Sequence, residues 1–346
     1  MAVVGAGTAP AGGPLWVKPR RTRHPLVGFL VRRTAAGLVT LLFASFFIFF
    51  ATQVLPGNVA EVVLGKNATP EAIAQAESRL HLDRPLLSRY ATWLGGVATG
   101  DLGDSAVDVA QGSPSAPISE QIGTPLVNSG VLAGLVIVLL VPLSIGLGVL
   151  AALRVGKPID HVTSLTSLVI GAFPEFVLGT LLIFVFFSQL GWLRPVALVP
   201  PGDSPLNHLD ALVLPVLTAL GVTLAAGVRQ VRAGMIEVLR QDYVAIAAIN
   251  GVPRQRVLWR YALHNSLAPT VQVTAQNIQY LLGGIIVVES LFAYPGVGTY
   301  LVNAVNLRDV GAVAAVAMIL AALYIAINLV ADVIVVFLVP KLRTGL

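Results

Sequence analysis

Long apolar stretches separated by short polar ones run through the 346-residue chain, and six are long enough to cross a bilayer. A hydrocarbon core about 30 Å thick needs about 20 apolar residues in helical form. Residues 26–55, 126–153, 162–190, 212–231, 267–288 and 310–338 meet that length. Because unpaired backbone groups are costly in lipid, such stretches are read as helices. The pattern predicts an all-α polytopic membrane protein with six transmembrane helices. Composition agrees, with 56% hydrophobic residues, 11% charged and a mean hydropathy of +0.83, values foreign to a soluble domain.

Between the first two spans, residues 56–120 are too long for a plain connection and should carry structure of their own. Thr69, Pro70 and Glu71 supply an N-cap, a proline at the first helical position and a first-turn acid, predicting a helix to about Leu80. After Asp83-Arg84-Pro85, the spacing of Leu86, Tyr90, Trp93, Leu94 and Val97 predicts a second amphipathic helix, closed by Gly95, Gly96, Gly100 and Gly103. This small helical subdomain either caps the bundle or presents a docking surface. Residues 1–25 lack the apolar core of a signal peptide and read as a disordered tail. Residues 121–338 form the five-helix core, and 339–346 a short C-terminal tail.

Charge sets the expected orientation. Lys18, Arg20, Arg21, Arg23, Arg32, Arg33, Arg154, Lys157, Arg229, Arg232, Arg240, Arg254, Arg256, Arg260, Lys341 and Arg343 all fall on one side if the N-terminus is inside. Basic residues are retained on the cytoplasmic side, so both termini are expected there and segment 56–120 outside. The formal charge of +5 then reflects topology rather than a nucleic-acid surface.

The polar segment between the fourth and fifth spans, residues 240–262, is the richest in signals. Asp242 is suited to N-cap a helix over Tyr243–Asn250, with Val244, Ile246, Ala247 and Ile249 available for contact; Gly251 fits the helix end, and Pro253 starts a second helix carrying Arg254, Arg256 and Arg260. A short helix held in this way is either a partner-binding element or an amphipathic interfacial connector. At the other end of the fifth span, within 289–309, Tyr294-Pro295-Gly296-Val297-Gly298 must break the helix, and Thr299–Leu307 reads as a short helix across the mouth. Irregular backbone at that depth must be shielded or line an aqueous cavity. The break is therefore an outer gate, bordered by Glu289 and Arg308, or an ordinary turn.

Glu175 follows Pro174 about halfway along the third span, and an ionisable group there is a functional candidate by default. It either lines a path and favours a positive group on the cargo, or bonds a neighbouring helix. Asp332, near the end of the sixth span, is better suited to a structural ion pair.

Other chemistries find little support. With no cysteine, disulfides and thiolate sites are excluded. His161, His208 and His264 stand apart, without a second ligand at metal spacing. Ser129, Ser144 and Ser188 lie in apolar helices, where a hydroxyl usually bonds a carbonyl or a neighbouring helix. Neither Gly65-Lys66 nor Gly156-Lys157 sits in a phosphate-binding loop. A proton-coupled secondary carrier would show paired hydrophobic halves and more intramembrane charge.

Ala247 and Gly251, followed by Leu263–Pro269 (LHNSLAP), resemble the segment of ABC importer permeases that receives ATPase subunits. VLPGN at 54–58, LDRPLLSRYATWL at 82–94, GDLGDS at 100–105, QDYV at 241–244 and VVESLFAYPGVG at 287–298 are similar to the B-type subunit of dipeptide and oligopeptide permeases, and the likeness runs from about Arg32 to Arg343. It implies the type I importer permease fold, a second permease subunit, two cytoplasmic ATPases holding ATP and magnesium, and an extracytoplasmic peptide-binding protein. This chain would bind no cofactor and catalyse nothing. Asp242, Tyr243, Ala247, Gly251, Arg254 and Arg256 would couple to the ATPases, and Glu175, Glu289, Tyr294, Pro295, Gly296 and Arg308 would line the path or its gate. Ala245 and Asn250 depart from the family pattern, where relatives carry Glu and a basic residue, which shifts the burden to Asp242, Arg254 and Arg256. Nickel, glutathione and other small-solute importers have closely similar permeases.

Overall fold

The structure, a computed structural model, describes residues 25–53, 64–65, 68–112 and 117–338. The tails of the chain and residues 54–63, 66–67 and 113–116 lie outside the described residues. The described residues are mostly helical, with a single isolated bridge between Asp104 and Pro117 in place of any sheet.

Five helices are long and apolar enough to span a membrane, and a bent pair supplies a sixth crossing. Helix α1 covers Pro25–Gln53, α5 Ile118–Ala152, α8 Leu209–Leu239, α11 His264–Leu291 and α13 Val310–Leu338. The third span is not the continuous helix its apolar run predicts. It consists of α6 (Pro158–Gly171) and α7 (Glu175–Ile183), the latter continued by a π-helical stretch to Gln189, and the two halves bend by 101°. Pro174 explains the break, because proline disfavours helical conformation at the residue before it and carries no N–H.

α8 is the buried axis. It packs against α5, α6, α7 and α11, and Leu212, Leu214, Ala219 and Leu220 join Leu132, Val136, Leu140, Leu281 and Ile285 in the main core. Small residues permit close approach: a Cβ on Gly148 would lie 2.7 Å from Val231, and one on Gly221 would lie 2.7 Å from Leu178. α1 stands at the margin, packed chiefly on α13 and tied to it by the Arg33–Asp332 ion pair, the structural pairing expected for Asp332. A partly buried pair, Arg232 to Asp160 at 2.5 and 2.9 Å, joins α8 to α6.

The segment before α5 folds as the sequence indicates, with corrections. α2 (Pro70–Arg79) is capped by the Thr69 side chain, which accepts from Ala72 N–H at 3.3 Å. α3 (Leu86–Thr99) runs through Gly95 and Gly96 instead of stopping at them, and ends only where Gly100 takes φ 87°. Its Tyr90 and Trp93 stack on Phe46, Phe49 and Phe50 at the end of α1. A further short helix, α4 (Ala106–Gln111), is unheralded in the hydrophobic pattern. Asp309 ties it to α13 by accepting from Ser105 Oγ at 2.5 Å, Ala106 N–H at 3.0 Å and Ala312 N–H at 3.1 Å.

Candidate functional site

Between α8 and α11, the chain forms α9 (Asp242–Ile249), a tight reversal, the single turn α10 (Arg254–Arg256) and a π-helical stretch, Val257–Leu263, that runs into α11. Gln241, not Asp242, is the N-cap; Asp242 is the first helical residue, where its charge favours the positive helix end. Gly251 ends the helix with φ 77°. Its N–H donates to Ala248 C=O at 3.1 Å and that of Val252 to Ala247 C=O at 3.2 Å, a Schellman closure. A Cβ at Gly251 would meet nothing within 4 Å, so backbone conformation alone requires glycine there.

The two faces of α9 differ. Val244 and Ala247 are buried against Val257, with Val252, Leu239 and Tyr261 around them. The expectation that Val244 and Ala247 are available to a partner is therefore corrected: they seat the helix. Ile246 (56% exposed) and Ile249 (83%), together with Tyr243, form the outward face at a spacing of three. Two isoleucines so exposed on an eight-residue helix are an unsatisfied apolar surface. Arg256 is exposed; the side chain of Arg254 lies outside the described ones.

At the opposite end of α11, the predicted break is present and α12 covers Val297–Asn306. Glu289 does not border an opening. It is fully buried, accepts from Ser129 Oγ at 2.5 Å and from Gly298 N–H at 2.6 Å, and so caps the start of α12. Ser129 also accepts from Val297 N–H at 2.8 Å. Tyr294 is likewise buried, and its hydroxyl donates to Asn128 C=O at 2.8 Å, while Asn128 Nδ2 donates to Pro295 C=O at 2.8 Å. A Cβ on Gly296 would lie 2.3 Å from the Glu289 carboxyl group, so glycine is needed for that group to fit. Glu289, Tyr294, Pro295 and Gly296 thus form one latch between α5, α11 and α12. Arg308, at φ 57°, is exposed at the turn into α13.

Glu175 is the first residue of α7 rather than mid-helix. It lies over Gly284 of α11, whose Cβ would be 2.7 Å from the carboxyl oxygen, and Tyr280 stands one helical turn before that glycine. Among the described residues no cluster of three metal-ligating side chains occurs. His208 is not isolated as the sequence suggests: its Nε2 lies 2.7 Å from Asp203 Oδ2. Asn207, then His208 and the Ser204 N–H, hold the Asp203 carboxyl below its ordinary value.

Sequence reasoning misses Ser129 as the Glu289 partner, Gly284 as the residue against Glu175, and the Asp160–Arg232 pair, all joined across large sequence separations. The Gly283-Gly284 pair inside α11 is the one local signal of a close approach there.

These residues define a multi-span helical membrane protein with a short exposed helix at one end and a latched one at the other. Residues 144–344 match the family model described as binding-protein-dependent transport system inner membrane component, and residues 26–119 match that of its N-terminal region. The chain belongs to this family. It is 30% identical over 318 residues to a putative peptide transport system permease protein of Brucella abortus, covering 92% of this chain and 99% of that one. The oligopeptide transport system permease protein AppB of Bacillus subtilis is 30% identical over 321 residues, with 92% and 100% covered. The glutathione transport system permease protein GsiC of Escherichia coli is 31% identical over 319 residues, with 92% and 99% covered.

Proposed function

We propose that this chain is the transmembrane subunit of an ATP-driven importer and forms half of a path for di- or oligopeptides handed over by an extracytoplasmic binding protein. A second, homologous permease subunit supplies the other half, and two ATPases, which hold ATP and magnesium, dock at α9. The chain itself catalyses nothing and holds no cofactor. On this reading α9 and both termini face the cytoplasm, while α2–α4 and α12 face outward; the basic residues around α8–α10 support it.

The observation that carries the proposal is α9: eight residues fixed by a glycine closure, with Ile246 and Ile249 directed away from the bundle. An apolar helix face of this size suits a groove on a partner. Motion entering there reaches the core through α8 on one side and the π stretch into α11 on the other. The names of the relatives support peptide as cargo, and that of the glutathione permease keeps a related small solute as the second reading.

Ile249→Asp tests it. Co-expressed with its partner subunits, this variant should insert normally yet lose at least about tenfold of the ATPase recovered on purification. Full recovery of ATPase subunits with Ile249→Asp would count against docking at α9.

A further inference from the structure

The residues of α11 left exposed from its middle outward are Gln276, Tyr280, Gly283, Val287 and Ser290. Steps of four, three, four and three place them in one stripe. Three of the five are polar, unlike the exposed Val138 and Leu139 of α5 or Phe43 and Phe47 of α1. Polar side chains within a span face the bundle interior or a water-filled cavity rather than lipid. Glu175 reaches the stripe where its carboxyl group lies against Gly284, one turn from Tyr280.

Arg229 belongs to the same region. It is exposed, makes no ion pair among the described residues, and places its guanidinium where a Cβ on Gly171, the last residue of α6, would lie 3.5 Å away. Glu175 and Arg229 thus flank the 101° elbow, one on each side. Asn277 Nδ2 donates to the Gln230 side chain at 3.2 Å, which ties α8 to α11 beside Arg229.

We propose that the elbow carries a station for zwitterionic peptides, in which Glu175 and Tyr280 receive the cargo's ammonium group and Arg229 its carboxylate. Both groups are held by surfaces that require no cargo: Glu175 by Gly284, Arg229 by the end of α6. The station rests on the peptide reading above.

The native chain lacks cysteine, which makes single-cysteine labelling clean. In the full complex with its partner permease and ATPases in proteoliposomes, Gln276→Cys and Ser290→Cys should react with a charged, membrane-impermeant thiol reagent at least about tenfold faster than Val138→Cys. With binding protein saturated by radiolabelled trialanine, Glu175→Gln and Arg229→Gln should each lower uptake at least about tenfold, while ATP hydrolysis stimulated by the loaded binding protein stays at the wild-type rate. Trialanine uptake equal to wild type in both variants, or a stripe no more reactive than Val138→Cys, overturns the station alone. A wild-type complex that hydrolyses ATP but carries no trialanine overturns the peptide reading and the station together. Loss of stimulated hydrolysis in both variants overturns it as well, because the two residues would then serve coupling.

Discussion

α9 and α12 are both short helices packed at an end of the bundle, and both adjoin a glycine-dependent bend, yet they are held in different ways. α12 is fixed by directed bonds. Glu289, Ser129, Asn128 and Tyr294 interlock three helices around its first turn, with almost no space left. α9 rests on a small apolar contact of Val244, Ala247 and Val257, and its N-cap makes no side-chain bond. A buried hydrogen-bonded carboxyl group resists small displacement, because moving it leaves donors unsatisfied. A few aliphatic contacts tolerate sliding. On the functional reading, the end that meets the ATPases is the compliant one, and the outer end moves as a unit or not at all.

The largest effect should come from Glu289→Ala. It leaves the Ser129 hydroxyl and the Gly298 N–H without their acceptor in a buried site and opens a void, which together should cost about 3–5 kcal/mol. A marked drop in the thermal midpoint of the detergent-solubilised complex checks this, and an unchanged midpoint would show the latch to be dispensable.

Matched glycine substitutions sharpen the contrast. In Gly298→Ala the new Cβ would lie 2.5 Å from Ile286 Cα and 3.0 Å from its carbonyl oxygen, backbone atoms that cannot step aside. A loss of about 2–3 kcal/mol is expected. Gly251→Ala meets no atom and bears only the strain of φ 77°, about 1 kcal/mol. Its stability should therefore change little while transport falls, because the strain biases the reversal after α9 away from the direction that glycine sets. Equal destabilisation by the two changes would refute the distinction between the ends.

The smallest effect concerns the exposed turn at Asp203, on the same side as α12. Its pKa is lowered by Asn207 and His208, so the stabilising contribution is present above the ordinary carboxylate value of 3.8 and lost as pH falls below it. Amide exchange over residues 203–208 should quicken between pH 5 and pH 3 by more than intrinsic chemistry predicts, while exchange over α12 stays slow.

Where structure depends on neighbours in sequence, the chain is legible. Thr69 with Pro70 announces α2, Gly251 with Pro253 announces the reversal after α9, and the Tyr294–Gly298 run announces the break before α12. Hydrophobic length finds the spans, because any segment in lipid must meet that requirement alone. The elbow escapes notice because the run around Pro174 is long and apolar enough to pass for one span; proline marks a break there, but neither the 101° bend nor the packing on α8 has a local correlate. Side-chain roles are less legible still. Glu289 and Glu175 look alike in sequence, each an acid in an apolar stretch; only Ser129, 160 residues away, makes one a buried cap, and only Gly284 keeps the other at a surface. Ala247 and Ile249 are both apolar residues of one short helix, and the packing of Val257 alone decides which is seated and which is presented.

The π-helical stretch Val257–Leu263 stands at the one place where α9 hands over to α11. A wide turn holds one residue more than an α-turn needs, so it stores slack in the backbone. Taking up that residue would rotate everything beyond it by about 100° around the helix axis without breaking the rod. A screw thread of this kind converts a push at its base into a twist along its length, and the polar stripe of α11 is what such a twist would turn toward or away from the cargo.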